Sequence, residues 1–152
     1  MGLPHYTWMK SIAPLHHTLG ETVAASEQDI DTAAAAPTIL VCDDDPPLRE
    51  LVRAVLGPRY NFIEAADGTE ALAAARELSP DVMVLDVMLP GINGIDVLKE
   101  LRADEKIADL PVVVITAWSH AEADAWAAGA DRFVAKPFDP DDLSRAVEEL
   151  LQ

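Results

Sequence analysis

Three short apolar runs in this chain each end on a side chain that can do chemistry. Thr38-Ile39-Leu40-Val41-Cys42 runs into Asp43-Asp44-Asp45, Asp81-Val82-Met83-Val84-Leu85 into Asp86, and Asp131-Arg132-Phe133-Val134-Ala135 into Lys136. A fourth run, Val112-Val113-Val114-Ile115, ends on Thr116. Carboxylates gathered in one place repel one another, so either their pKa values rise or a cation joins them. Oxygen-only ligands suit a hard divalent ion; magnesium typically takes one or two carboxylates, some waters and a phosphate oxygen. Lys136 supplies a fixed positive charge that could pair with a carboxylate at rest and with a phosphoryl oxygen after loading. Thr116 adds a hydroxyl donor. A carboxylate nucleophile, a metal, a lysine and a hydroxyl together suit phosphoryl transfer onto an aspartate. Taken singly, Asp43 to Asp45 read as helix caps, Asp86 as a turn residue, Lys136 as a surface lysine and Thr116 as a strand end. Their coincidence at successive strand ends favours a site.

The elements that must position these residues are legible in the same stretch. Runs this short, rich in Val, Ile and Leu and not alternating, read as strands buried on both faces of a parallel sheet. In such sheets the ligand site lies beyond the carboxyl ends of the strands. A helix is predicted over 46–56, with Leu48, Leu51, Val52, Val55 and Leu56 at helical spacing, Asp45 as its cap, Pro46 at its first position and Gly57-Pro58 at its end. Tyr60 to Ala65 reads as a second strand and Thr69 to Leu78 as a second helix. Ile95 to Arg102 forms a third helix, burying Ile95, Leu98 and Leu101. An alanine-rich helix from about His120 to Ala128 is closed by Gly129, and a last helix from Asp141 buries Leu143, Ala146, Val147, Leu150 and Leu151. Five β-α units imply right-handed crossovers, with helices on both faces of the sheet.

Length and composition bound the reading. The 152 residues suffice for one domain with a real core, and half of them are apolar. Residues 1–37 differ from the rest: Pro4 and Pro14, three of the four histidines, no sustained period and an alanine-rich close. They read as a flexible N-terminal extension before a domain over 38–152. A formal charge of −16 argues against a nucleic-acid surface, which needs clustered Lys and Arg. The single cysteine, Cys42, falls inside an apolar strand and reads as a buried, inert thiol in a reducing, cytoplasmic setting. No stretch approaches the roughly 18 apolar residues of a membrane span. The N-terminus lacks the apolar core of a signal peptide.

Residues 38–151 resemble the receiver domain of two-component response regulators. The matching pieces are Cys42-Asp43-Asp44-Asp45, Leu85-Asp86-Val87-Met88-Leu89-Pro90-Gly91-Ile92-Asn93-Gly94, Val114-Ile115-Thr116-Ala117, and Ala128-Gly129-Ala130-Asp131 through Lys136-Pro137-Phe138. The resemblance implies a flavodoxin-like α/β fold with strand order 2-1-3-4-5. It implies that Asp86 is the phosphoacceptor, loaded with Mg2+ bound by a histidine kinase or histidine phosphotransfer protein. Asp44 would be a direct metal ligand, Asp43 a ligand through water, and Met88 the donor of a backbone carbonyl. Thr116 and Lys136 would bond the phosphoryl oxygens. Phe133 occupies the place of the family's switch aromatic, and Lys136-Pro137 that of a bond often cis in the family. Loading would then remodel the face around the fourth helix, fifth strand and fifth helix.

In the family, the residues two after the phosphoacceptor and two after the threonine influence water attack on the acyl phosphate. Here they are Met88 and Trp118, neither of which readily orients a water, so slow self-dephosphorylation is expected. Trp126 is expected to pack at the core edge. With no output domain after Gln152, a stand-alone module is expected, signalling through a protein partner, as a monomer or a phosphorylation-dependent dimer. It would not act as an enzyme on external substrates. The rivals are a binding module that uses the fold without phosphorylation, and the receiver portion of a longer DNA-binding regulator. Flavodoxin is disfavoured because no Ser/Thr/Gly-rich phosphate loop follows the first strand. Haloacid-dehalogenase-type phosphatases want an Asp where Met88 stands.

Overall fold

A computed structural model describes residues 36–152. The expected N-terminal extension, with its Trp8, Ile12 and Leu15 turn and the His16-His17 pair, lies outside those residues apart from its last two. From Thr38 the chain alternates strand and helix: β1 Thr38–Cys42, α1 Pro46–Leu56, β2 Asn61–Ala65, α2 Gly68–Leu78, β3 Val82–Asp86, α3 Gly94–Ala103, β4 Val112–Thr116, α4 Glu122–Ala128, β5 Arg132–Ala135 and α5 Pro140–Leu150. The strands form one parallel sheet in the order β2-β1-β3-β4-β5. This is the order and the five-unit layout expected from the sequence.

Strand periodicity splits the core in two. On one face Leu40, Met83, Leu85, Val112 and Val114 pack against Ala71 and Leu72 of α2, Val97, Leu98 and Leu101 of α3, and Ala125 of α4. On the other, Ile39, Val41, Val82, Val84, Val113 and Ile115 meet Val52 and Leu56 of α1 and Leu143, Ala146 and Val147 of α5. Every residue of β3 and β4 is buried, which is why those runs do not alternate in polarity.

Local chemistry sets most helix ends. The Asp67 side chain caps α2 by accepting from the Glu70 amide, while Glu70 reaches back to the Ala66 amide. Asn93 caps α3 through the Asp96 amide, and Asp139 caps α5 through that of Asp141. Gly57 and Gly129 close α1 and α4 with φ of +90° and +110°.

Four details depart from expectation. Asp45 stands at the N-cap of α1, yet its side chain makes no capping bond; its amide instead donates to the Asp43 carboxylate at 2.9 Å. Leu51 is 48 % exposed rather than buried, because Val52 and Leu56 already fill the face that α1 turns to the sheet. Ile95, Leu150 and Leu151 are half-buried at the margins of the two cores. The segment after β4 opens as a 3-10 turn, Ser119–Ala121, before α4; neither start has a side-chain cap to satisfy its first amides.

Candidate functional site

Register brings the reactive residues together. Cys42 pairs with Leu85, so the next residues along, Asp43 just past β1 and Asp86 at the last position of β3, stand side by side. Asp86 pairs with Ile115, and Thr116 with Ala135, so Lys136 begins two strands away from Asp86. Strands lie about 4.8 Å apart, and an extended lysine covers the gap. Period-2 alternation places Asp43, Asp86 and Lys136 in line with Val41, Val84 and Val134, all on the α1/α5 face. Thr116 follows Val114 on the opposite face.

Lys136 is the centre of the cluster. Its Nζ donates to Asp43 Oδ2 at 2.8 Å and to Asp86 Oδ2 at 2.9 Å. Asp43 and Asp86 are almost wholly buried, at 1 % and 4 % exposure. Burial pushes the Asp43 carboxyl above its ordinary value, against the hydrogen bonds from Lys136 and the Asp45 amide, with the neighbouring Asp86 adding to the rise. Burial alone would lower the Lys136 ammonium, but its bonds to Asp43 and Asp86 and their charges more than reverse that and leave it raised. One lysine therefore holds two carboxylates that would otherwise repel each other. The Lys136-Pro137 peptide is cis.

The remaining residues frame the pair. Thr116 is fully buried, and its Oγ1 accepts from the Trp118 amide at 3.2 Å. The Met88 amide donates to Asp86 Oδ1 at 3.1 Å, bracing the carboxylate from the β3–α3 loop. Gly94 secures that loop: a Cβ there would collide with the Asp86 carbonyl and lie 2.6 Å from the Val87 Cα, so only glycine lets α3 start so close to the site. Asp44, Met88, Leu89, Asn93 and Trp118 line an open cleft of about 560 Å³ beside the pair. Met88 and Trp118 are 58 % and 50 % exposed in it. Phe133 is half-buried, paired with Val114 and packed on the α2/α3/α4 core. Cys42, beneath the site, is buried, and burial and then the Asp43 charge push its thiol far up.

Asp43, Asp86 and Lys136 are thus joined by direct contacts, and Thr116 lies on the neighbouring strand. Asp44 is exposed, and among the described residues no three His, Cys, Asp or Glu side chains converge as a ready metal cage. The Asp43, Asp44 and Asp86 triplet expected from the sequence is therefore a pair of converging carboxylates with a third at the rim. Two adjoining carboxylates, one with a raised pKa, still suit magnesium, which keeps several waters and needs few protein ligands. Trp126 departs from expectation: it is 45 % exposed, and its indole N–H donates to Glu122 Oε2 one turn earlier in α4. Sequence reasoning missed Arg49, whose Nη1 donates to the Asp43 carbonyl at 2.6 Å. No periodicity marks it, because it follows Leu48 like any charged residue beside a helix's apolar stripe.

A parallel sheet of order 2-1-3-4-5 with an acid pair, a lysine and a threonine along its carboxyl edge places the chain among flavodoxin-like α/β domains, which bind their ligands at that edge. The family described as the response regulator receiver domain matches residues 39–148, and the chain belongs to that family. It is 44 % identical over 117 residues to the DNA-binding response regulator MtrA of Mycolicibacterium smegmatis, covering 75 % of this chain and 50 % of that protein. It is 39 % identical over 119 residues to the DNA-binding dual master transcriptional regulator RpaA of Synechocystis, covering 76 % and 49 %. The chain therefore spans about half the length of these curated relatives. Among solved structures it resembles the receiver domain of Francisella response regulator 1452, with a TM-score of 0.70 at 30 % identity, covering 76 % of this chain and 96 % of that one. It also resembles the chemotaxis response regulator CheY4 of Vibrio cholerae, with a TM-score of 0.70 at 29 % identity, covering 77 % and 100 %.

Proposed function

We propose that this receiver domain accepts a phosphoryl group on Asp86 from a phosphohistidine of a kinase or phosphotransfer protein. The observation that carries this is the Lys136 ammonium shared between Asp43 and Asp86. In the proposed step an Asp86 carboxylate oxygen attacks phosphorus, a P–O bond forms, the P–N bond breaks, and its electron pair returns to the imidazole. Lys136 exchanges its Asp86 contact for a phosphoryl oxygen and keeps Asp43. Thr116 already accepts the Trp118 amide, which leaves its own hydrogen to donate to the phosphoryl group. Thr116 and Phe133 lie on the same sheet face, so recruitment of the hydroxyl opens room for the ring and alters the surface of α4 and β5. Asp43, Asp44, Asp86 and the Met88 carbonyl would hold Mg2+, which when bound neutralises charge on the transferring oxygens.

The test is intact-mass measurement after incubation with a small acyl-phosphate donor and magnesium chloride. A single phosphoryl adduct on the wild type and none on Asp86→Asn is expected. No adduct on the wild type, under conditions that load another receiver, would overturn the reading in favour of a binding module that works without phosphorylation. Asp86→Asn carrying the adduct would move the acceptor elsewhere.

A second reading is that this domain serves a DNA-binding regulator, favoured by the names and lengths of its curated relatives. In that case nucleic acid would be bound outside the receiver domain, since the chain carries a formal charge of −16. Titration of the chain against a labelled duplex at low salt is expected to show no binding; saturable binding would contradict it. Among the described residues no helix is long and apolar enough to cross a membrane.

A further inference from the structure

Arg49 is the one cation besides Lys136 that touches the acidic turn among the described residues, and it touches the backbone rather than a carboxylate. Its Nη1 donates to the Asp43 carbonyl at 2.6 Å and its Nε to Glu64 Oε1 at 2.8 Å, with the side chain only 15 % exposed. Glu64, in β2, also accepts from Arg53 Nη1 at 2.9 Å. Arg49 and Arg53 thus share one carboxylate, yet Arg49 alone reaches the site.

The Asp43 residue is held at every polar atom. Its amide donates to the Ala65 carbonyl at 3.1 Å, its carboxylate takes the Asp45 amide and Lys136, and its carbonyl takes Arg49. Asp44 is different. It is exposed, it lines the cleft beside Met88 and Trp118, and among the described residues no hydrogen bond holds its carboxylate. Among those residues no side-chain contact fixes Asp44, so only its backbone limits where the carboxylate can reach, and that backbone begins at the peptide whose carbonyl Arg49 grips. A planar guanidinium with two fixed donors suits such a brace; an ammonium does not.

We propose that Arg49, braced on Glu64, is a positioning residue that orients the Asp43–Asp44 peptide and so presents Asp44 to a divalent cation. This rests on the metal-assisted phosphoacceptor reading above. Groups that orient metal ligands from outside the coordination sphere typically affect affinity by about 10–100-fold when removed.

The experiment is isothermal titration of the full chain with magnesium chloride, alongside thermal melts. Arg49→Met and Arg53→Met each remove one ion pair to Glu64, so both are expected to lower the melting temperature. Arg49→Met should weaken magnesium binding by about tenfold or more, Arg53→Met should match the wild type, and Arg49→Lys should recover only part of the loss. Unchanged affinity in Arg49→Met, or an equal loss in Arg53→Met, overturns the inference. If Arg49→Met does not fold, Glu64→Gln decides instead: weakened binding supports the brace and wild-type binding refutes it. A wild type that binds no magnesium would sink the metal reading itself, a failure distinct from the others.

Discussion

The two edges of the sheet use the same residue type for opposite ends. At the amino edge Asp81 accepts the Thr38 amide at 2.7 Å, and Asp131 accepts the Val112 amide at 2.8 Å and Arg102 Nη2 at 2.9 Å. Arg102 also donates to the carbonyls of Ala108, Leu110 and Gly129, tying α3 to the loop before β4 and to the turn before β5. Each carboxylate there is spent on strand amides or a guanidinium. At the carboxyl edge Asp43 and Asp86 are buried side by side and share one lysine. A charge with its own partners is compensated; two carboxylates sharing one lysine keep a repulsion that a further cation can relieve. The amino edge ties strands and helix together, while the carboxyl edge leaves two buried carboxylates on a single lysine.

Breaking one edge should leave the other's property intact. The largest effect is expected for Lys136→Met, which strips the only cation bonded to the two carboxylates among the described residues. Phosphoryl uptake from a small donor, followed by intact mass, should slow by roughly a hundredfold or more. Next, Asp131→Ala removes the acceptor of Arg102 and of the Val112 amide. It should destabilise the fold by about 1–3 kcal/mol in urea titrations, with the uptake rate of the folded protein unchanged. If Asp131→Ala abolished uptake instead, the division of labour between the edges would be wrong.

A smaller effect separates the edges by pH. The Asp43 pKa is raised in the folded state, so its ionised form destabilises, and the protein regains that stability as pH falls through the folded pKa. Asp43→Asn should therefore raise stability at neutral pH in chelator, with the gain shrinking on acidification. A gain that persists where carboxylates are protonated would assign it to packing. Smallest is the tuning of lifetime. Polar replacement of Met88 and Trp118 together should speed phosphate loss several-fold in magnesium; an unchanged rate would remove both residues from that role.

Much of this molecule was legible before its coordinates. Short apolar runs such as Val112 to Ile115 carry strand length and burial on both faces in their composition, and Gly57 and Gly129 mark helix ends because only a left-handed residue fits there. Leu51 and Asp45 misled for a shared reason. Helical spacing shows which residues could face a core, and a capping residue type shows what could cap, but each outcome depends on what else competes for the position. Pro46 and Pro47 leave the first two helical positions without amides for Asp45 to cap, and Val52 with Leu56 fills the face that Leu51 might have shared.

The sequence by itself determined the element order, the parallel class and which side chains end the strands, because these follow from local composition and spacing. Only the tertiary structure decided that Lys136 reaches two carboxylates, that Asp44 stands at the rim, and that Arg49 grips the Asp43 carbonyl. The lysine contacts join residues far apart in the chain, and Arg49 is held at its place by Glu64 of β2, so both depend on strand register and side-chain reach, quantities fixed only when the sheet is assembled.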